Sequence, residues 1–379
     1  NSFKTLLFLI ITNRPYKSNK NLFQTVNIPL FFSKNIFIGG NFMPERIGNK
    51  TIILTSSPSI IGYGAVVGKK EAEGPLGNYF DKAYYDEFFG EKTFEKAETK
   101  CQKEAIRTAV KKAGLNKADI HCAFAGDLLN QCIGSSFGMR ELGFSFAGLY
   151  GACSTMALSL LMAGVFVDSG AAENAVAAAS SHFCSAERQY RMPLEYGGQR
   201  SPACQWTVTG AGSAVVSLHK ENHPKIEKAI IGAVRDLGIT DTNNMGAAMA
   251  PAAAQTIADF LSDTNTSPED YDMILTGDLG YTGSDLLLQL MKEEFKTDIS
   301  KVHYDCGIMI YNREKQDVHS GGSGCGCSAS VVCSYILDKL KSKELNKILF
   351  VGTGALLSPT SSLQKESIPG IAHGVLLSS

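Results

Sequence analysis

Within residues 98–120, apolar side chains recur at helical spacing in ETKCQKEAIRTAVKKAG. A short LNKAD connection follows, then an apolar strand, IHCAFAGDL. Residues 250–279 repeat the plan as APAAAQTIADFLSDTNTSPEDYDMILTGDL. Asp119, Gly126, Asp127 and Leu128 fall on Asp270, Gly277, Asp278 and Leu279, each at an offset of 151 residues. A second echo comes after each. GACSTMALSLLMAGVFVDSGAAENAVAAASS and SGCGCSASVVCSYILDKLKSKELNKILFVGTG both read as Gly–Cys, helix, turn, strand. Their offset is 172, which sets Cys153 on Cys325 and Asn174 on Asn346. Two echoes in one order, with an insertion between them, predict a duplicated chain with halves at residues 43–220 and 221–379. Helices alternate with short strands such as AVAAAS and KILFV. These are apolar on both faces, as a helix-covered sheet requires, so the class is α/β. The segments 68–85 and 186–212 read as loops that roof a central pocket between the two Gly–Cys helix starts.

Residues 1–42 fit neither half. They carry Lys4, Arg14, Lys17, Lys20 and Lys34 and no acid, with no sustained periodicity. The apolar run TLLFLII is short for a signal-peptide core, and no A-x-A site follows it. The expectation is a leader outside the folded body, with the native chain opening at Met43 in MPERIGNKTIIL.

Charge changes the picture once that leader is set aside. The whole chain has 36 basic and 37 acidic residues, and without the five leader cations the balance is 31 to 37, a net charge of −6. A nucleic-acid surface would be basic, so nucleic acid is not an expected partner. No run of 18 apolar residues marks a spanning helix. Ten cysteines at irregular spacings, several in apolar runs, do not form a disulfide framework and suit a reducing cytosol.

The candidate chemistry centres on Cys153. A cysteine at a helix N-terminus meets unsatisfied N–H groups and the positive end of the helix dipole, which would lower its pKa. Spacing alone leaves two readings equal, a nucleophile and a small residue at a tight strand-to-helix corner. The stretch HSGGSGCGCS (319–328) has C-x-C rather than C-x-x-C spacing and lacks the Lys-Ser/Thr end of a P-loop, so neither a metal nor a nucleotide is expected there. Gly321, Gly322 and Gly324 allow close approach to the backbone. Arg188, Arg191 and Arg200 lie in the second roof segment, where guanidinium groups suit carboxylates.

GACST, with its cysteine opening an Ala-rich helix, resembles the nucleophile motif of the thiolase and ketoacyl-synthase superfamily. The ordered set EGPLGNYFDK, AGDLLNQ, SSHF-SAERQYR-P-EYGGQ, TVTGAG, DLGITD, MAPAAA, GGSGCGCSA, GTGALLSPT and QKESIPGIAHGV resembles the stage V sporulation protein AD family over residues 50–379. That resemblance implies a thiolase-like fold, layered αβαβα, with halves related by a pseudo-twofold axis. Thiolases place a catalytic histidine where this chain has Gly322. His319 lies three residues upstream, and His373, in GIAHGVLL, sits near a position where thiolases carry a second cysteine. The catalytic set is therefore incomplete, and Cys153 reads as a vestigial nucleophile. The family implies a binding protein for dipicolinic acid, as such or as its calcium chelate, acting with membrane subunits of a sporulation channel at the inner forespore membrane. The expected ligand-binding residues are Cys153, His182, Arg188, Arg191, Gly322, Ser323, Gly324 and Cys325, with no metal ligand and no cofactor. The resemblance also implies a homodimer. The alternative is an acyl-thioester enzyme using Cys153.

Overall fold

The computed structural model describes residues 43–190 and 200–379. The expected leader and Arg191 lie outside the described residues. Ten strands make the path of the main sheet: β1 (Ser59–Val67), β2 (Cys122–Gly126), β3 (Phe146–Gly148), β4 (Asn174–Ser181), β5 (Gly210–Ser217), β6 (Lys225–Ile230), β7 (Met273–Thr276), β8 (His303–Asp305), β9 (Lys347–Ala355) and β10 (Gly370–Ser378). Their spatial order is β8-β7-β9-β10-β6-β1-β5-β4-β2-β3. The order holds one plan twice. β5 pairs antiparallel with β1 on one side and β4 on the other, and β4, β2 and β3 continue in parallel. β6, β10, β9, β7 and β8 repeat this pairing strand for strand. The two sets of five join where Ser59 pairs with Lys225.

Seven helices matter for the site: α1 (Phe94–Lys112), α2 (Ile133–Leu142), α3 (Thr155–Asp168), α4 (Phe183–Tyr190), α5 (Met245–Thr264), α6 (Gly280–Glu293) and α7, which begins at Cys325–Val331 and continues through a π turn at Val332–Ile336 to Lys341. α1 covers the outer face of β1 and β5, and α5 covers β9 and β10. α3 touches strands of both sets of five, with α7 beside it against β4 and β5. The layers are thus helix, sheet, helix, sheet, helix. A central helix must be apolar all round. α3 meets this demand with TMALSLLMAGVFVD, most of it buried.

Local signals account for the element ends. α1 starts four residues before the predicted helix because the Thr93 side chain accepts from Lys96 N–H. The LNKAD connection becomes a capping-box turn at Asn116–Asp119, and Ser267–Asp270 forms the same box in the second half. The paired Asp119 and Asp270 are therefore turn acids. β1 carries Gly62 where α1 comes close: a Cβ there would lie 2.3 Å from the Ala109 carbonyl oxygen.

The described parts of the roof segments contain regular elements as well as loops. Residues 68–85 contain a short helix, Lys69–Ala72, and a strand, Lys82–Ala83, that pairs with β1. In 186–212, α4 runs on to Tyr190, and Trp206–Thr207 pairs with Gly322–Ser323. Those strand hydrogen bonds tie the second roof to the start of α7.

Candidate functional site

Cys153 is presented by a tight turn, and the letters around it explain the turn. Ala152 has a left-handed φ of 48°, a costly state for a residue with a Cβ. Neighbouring hydroxyls hold it there. Ser154 Oγ donates to the Gly151 carbonyl at 2.6 Å, and Thr155 Oγ1 donates to the Ala152 carbonyl at 2.6 Å. Gly151 N–H in turn donates to Thr155 Oγ1. The Ser-Thr pair after the cysteine is therefore the fastening of the corner.

The thiol faces a narrow cavity of about 30 Å³, lined also by Tyr150, Tyr190, Thr207, Met245, Ser323 and Leu357. Among the described residues, no cation lines it. Beneath it lies Asp278, just past the end of β7 and fully buried. Its carboxylate accepts from Thr353 Oγ1 at 2.7 Å, Gly324 N–H at 2.8 Å and Ser323 Oγ at 3.2 Å, and its charge acts on the nearby Cys153 thiol. Burial pushes the Asp278 carboxyl up to about 7, against the pull of these donors.

Two expectations are corrected by this carboxylate. The Cys153 pKa is not lowered: burial drives it well above the ordinary thiol value, and the Asp278 charge and hydrogen bond add to the rise. Gly324, expected to bind the ligand, does not offer it a free N–H, because Asp278 already accepts that hydrogen. Cys325 is sealed as well. It is fully buried and donates to the Ser180 carbonyl at 2.9 Å.

The remaining predicted residues divide between this cavity and other places. Ser323 joins Cys153 in the cavity wall. Gly322 and Gly324 shape the strand and turn behind it, Gly324 with a φ of 100° that favours glycine. Arg188 does not reach the cavity. It sits on α4, half-exposed, and pairs with Glu95, because the helix turns it outward. His182 lines a separate cavity of about 390 Å³ with Lys70, Glu71 and Trp206. Its Nε2 meets the Glu87 carbonyl at 2.8 Å and its Nδ1 accepts from Cys184 N–H, so both nitrogens are used. Burial lowers its pKa to about 4. His319 is also committed, to the Ser201 carbonyl and the Asp317 carboxylate. His373 packs behind the Cys153 turn: its Nδ1 accepts from Gly232 N–H at 3.3 Å, and burial lowers its pKa to about 4. Arg200 lies over Trp206 and bonds to Asp317. No group of three His, Cys, Asp or Glu residues suited to a metal ion occurs among the described residues.

Sequence reasoning missed Tyr150, Tyr190 and, as a site residue, Asp278. The last had a signal in its match to Asp127 after a strand end. Isolated tyrosines in connecting segments give no periodic signal.

The doubled strand order, the central helix pair and a cysteine at the start of α3 define a thiolase-fold protein. Solved structures agree at the level of fold. 3-Oxoacyl-[acyl-carrier-protein] synthase III from Aquifex aeolicus VF5 superposes with a TM-score of 0.52 at 13% identity, covering 85% of this chain and all of that one. An H285D form of OleA from Xanthomonas campestris gives 0.56 at 12% identity, covering 88% of this chain and all of that one. The family model of stage V sporulation protein AD matches residues 48–378. Stage V sporulation protein AD of Bacillus subtilis (strain 168) is 44% identical over 329 residues, 87% of this chain and 96% of that protein. The chain belongs to the stage V sporulation protein AD family. Among the described residues, no helix is long and apolar enough to cross a membrane.

Proposed function

We propose that this chain is a non-catalytic binding protein for dipicolinic acid, free or as its calcium chelate, with the Cys153 cavity as its binding end. One observation carries the non-catalytic part. Cys153 faces a carboxylate and a serine where acyl transfer needs a thiolate and a positioned histidine. Positioned acid–base groups contribute about 10²–10⁴ in rate. His373, His319 and His182 are each held elsewhere in neighbouring structure. A protonated thiol beside a buried acid is a poor nucleophile but an acceptable wall for a small planar ligand. The phenol rings of Tyr150 and Tyr190 beside it suit a flat aromatic partner. Arg188 drops out as a carboxylate clamp, and Arg191, next to Tyr190 in sequence, is the remaining roof cation to test.

The physiological setting follows the family resemblance: uptake of dipicolinate into the forespore, with this chain as a homodimer held peripherally at the inner membrane by the channel's membrane subunits. Calorimetry of the full chain with dipicolinate, with and without equimolar calcium, tests the reading. Saturable binding in at least one form is expected, weakened in Arg191→Ala and unchanged in Arg188→Ala. No binding in either form would overturn it. So would sustained CoA release from acetoacetyl-CoA that disappears in Cys153→Ser, which would restore the acyl-transfer reading.

A further inference from the structure

Outside the Cys153 cavity lies a second, larger one. It holds about 280 Å³ and is lined by Leu129, Asn130, Gln131, Leu356, Ser358 and Pro359, together with three residues of the inner cavity, Tyr150, Tyr190 and Leu357. The shared tyrosines stand between the two spaces. Their hydroxyls are 3.3 Å apart, within hydrogen-bond reach of each other. Tyr190 is fixed further by its hydroxyl's bond to the Leu128 carbonyl. Tyr150 is the less constrained of the pair, 46% exposed and bound only to its partner's hydroxyl among the hydrogen bonds of the described residues.

The volumes decide what each space can hold. The inner cavity's 30 Å³ falls far short of the roughly 150 Å³ cavity that accepts a benzene ring. The outer 280 Å³ is ample for one ring. The outer wall is also chemically distinct. It carries two carboxamides, Asn130 and Gln131, whose side chains make no hydrogen bond among the described residues and are exposed. Gln131 and Cys132 both adopt left-handed backbone angles, φ 56° and 50°. Two such residues in succession hold the amide loop in a costly shape at the rim of the outer space.

We propose that Tyr150 and Tyr190 form a two-ring gate that determines which molecules reach Cys153. A small planar carboxylate docks first in the outer space, against the Asn130 and Gln131 amides. It reaches the thiol only when the Tyr150 ring swings away from Tyr190. Bulkier molecules stop outside. The assignment rests on the Cys153 cavity being the ligand's end point, but it is tested without dipicolinate, so the two readings fail separately.

The test is site-resolved alkylation of the full chain, read by peptide mass mapping with iodoacetamide as the small reagent and N-(1-pyrenyl)maleimide as the bulky one. In the wild type the bulky reagent modifies Cys153 slowly. Tyr150→Ala is expected to raise that rate more than tenfold while raising the iodoacetamide rate less than threefold, with the sealed Cys325 unlabelled throughout. Tyr190→Phe, which keeps the ring and removes the hydroxyl pair, should give a smaller acceleration of the same bulky-selective kind. Equal pyrenylmaleimide rates in the wild type and Tyr150→Ala would overturn the gate. Acceleration of both reagents by the same factor would also overturn it, because that marks general loosening rather than a size filter.

Discussion

Cys153 and Cys325 hold matching places at the starts of the two central helices, yet their surroundings are opposite. Cys325 is closed on every side: its thiol bonds to the Ser180 carbonyl, and Gly326 N–H bonds to Ser181 Oγ. Cys153 opens on a cavity. The matched acids diverge too. Asp127 stays within its own half, accepting from Ser135 and from Leu129 N–H. Asp278 acts across the halves: its charge raises the pKa of Cys153 in the first, while its oxygens accept from Ser323, Gly324 and Thr353 in the second. Duplication supplied two equivalent corners. One became packing, and the other kept a cavity with a buried acid, rather than a base, bonded behind its Ser323 wall.

The largest expected effect comes from removing that acid. Asp278→Ala leaves buried donors from Thr353, Gly324 and Ser323 without an acceptor. At about 1–3 kcal/mol for each unsatisfied group, the loss should reach 3 kcal/mol or more in urea unfolding. Asp278→Asn sharpens the point through pH. The folded pKa of about 7 lies above the unfolded value of about 3.9, so the acid's stabilising form is complete below pH 4 and is lost as pH rises through 7. Wild type should therefore lose stability relative to the Asn variant across that window, by on the order of 4 kcal/mol. A flat difference from pH 4 to 8 would show that the carboxyl titrates normally.

Sealing predicts the next effect. A Cβ on Gly326 would lie 2.3 Å from the Gly210 carbonyl oxygen and 2.6 Å from Ser181 Oγ. Gly326→Ala should cost about 2–3 kcal/mol. Cys153→Ala, at the open corner, should cost under about 1 kcal/mol, because its side chain borders space already. Equal losses would erase the contrast between the two starts.

Much of the doubled fold was legible because its repeated residues do backbone work. Asp119 and Asp270 close the same turn, and Gly126 and Gly277 mark the ends of equivalent strands, Gly126 as the last residue and Gly277 as the one just past. Such roles demand one residue type at one spacing, so they survive as identities. The site was less legible because its contacts are made across long stretches of chain. Nothing near Cys153 announces an acid 125 positions later, nor does the Arg188 neighbourhood announce Glu95. A helix-start cysteine argues for a lowered pKa only while the opposite wall is unknown. His182 and His373 show the same limit: each is neutral and occupied in the fold, a state that depends on the Glu87 carbonyl and Gly232 N–H.

The smallest effect is expected at Arg188. Its pair with Glu95 is half-exposed, so Arg188→Ala should change stability by less than about 1 kcal/mol. A larger loss would place the arginine in a role that its exposure does not suggest.

The central claim is that the open start at Cys153 receives the ligand while its counterpart at Cys325 does not. Protection from alkylation tests it most directly. Iodoacetamide is applied to the full chain with and without saturating dipicolinate, and the rate at each cysteine is read by peptide mapping. The account predicts that dipicolinate slows modification of Cys153 more than tenfold and leaves the half-exposed Cys122 and Cys184 unchanged. An unchanged rate at Cys153, with dipicolinate bound by calorimetry, would contradict it and place the ligand elsewhere on the molecule.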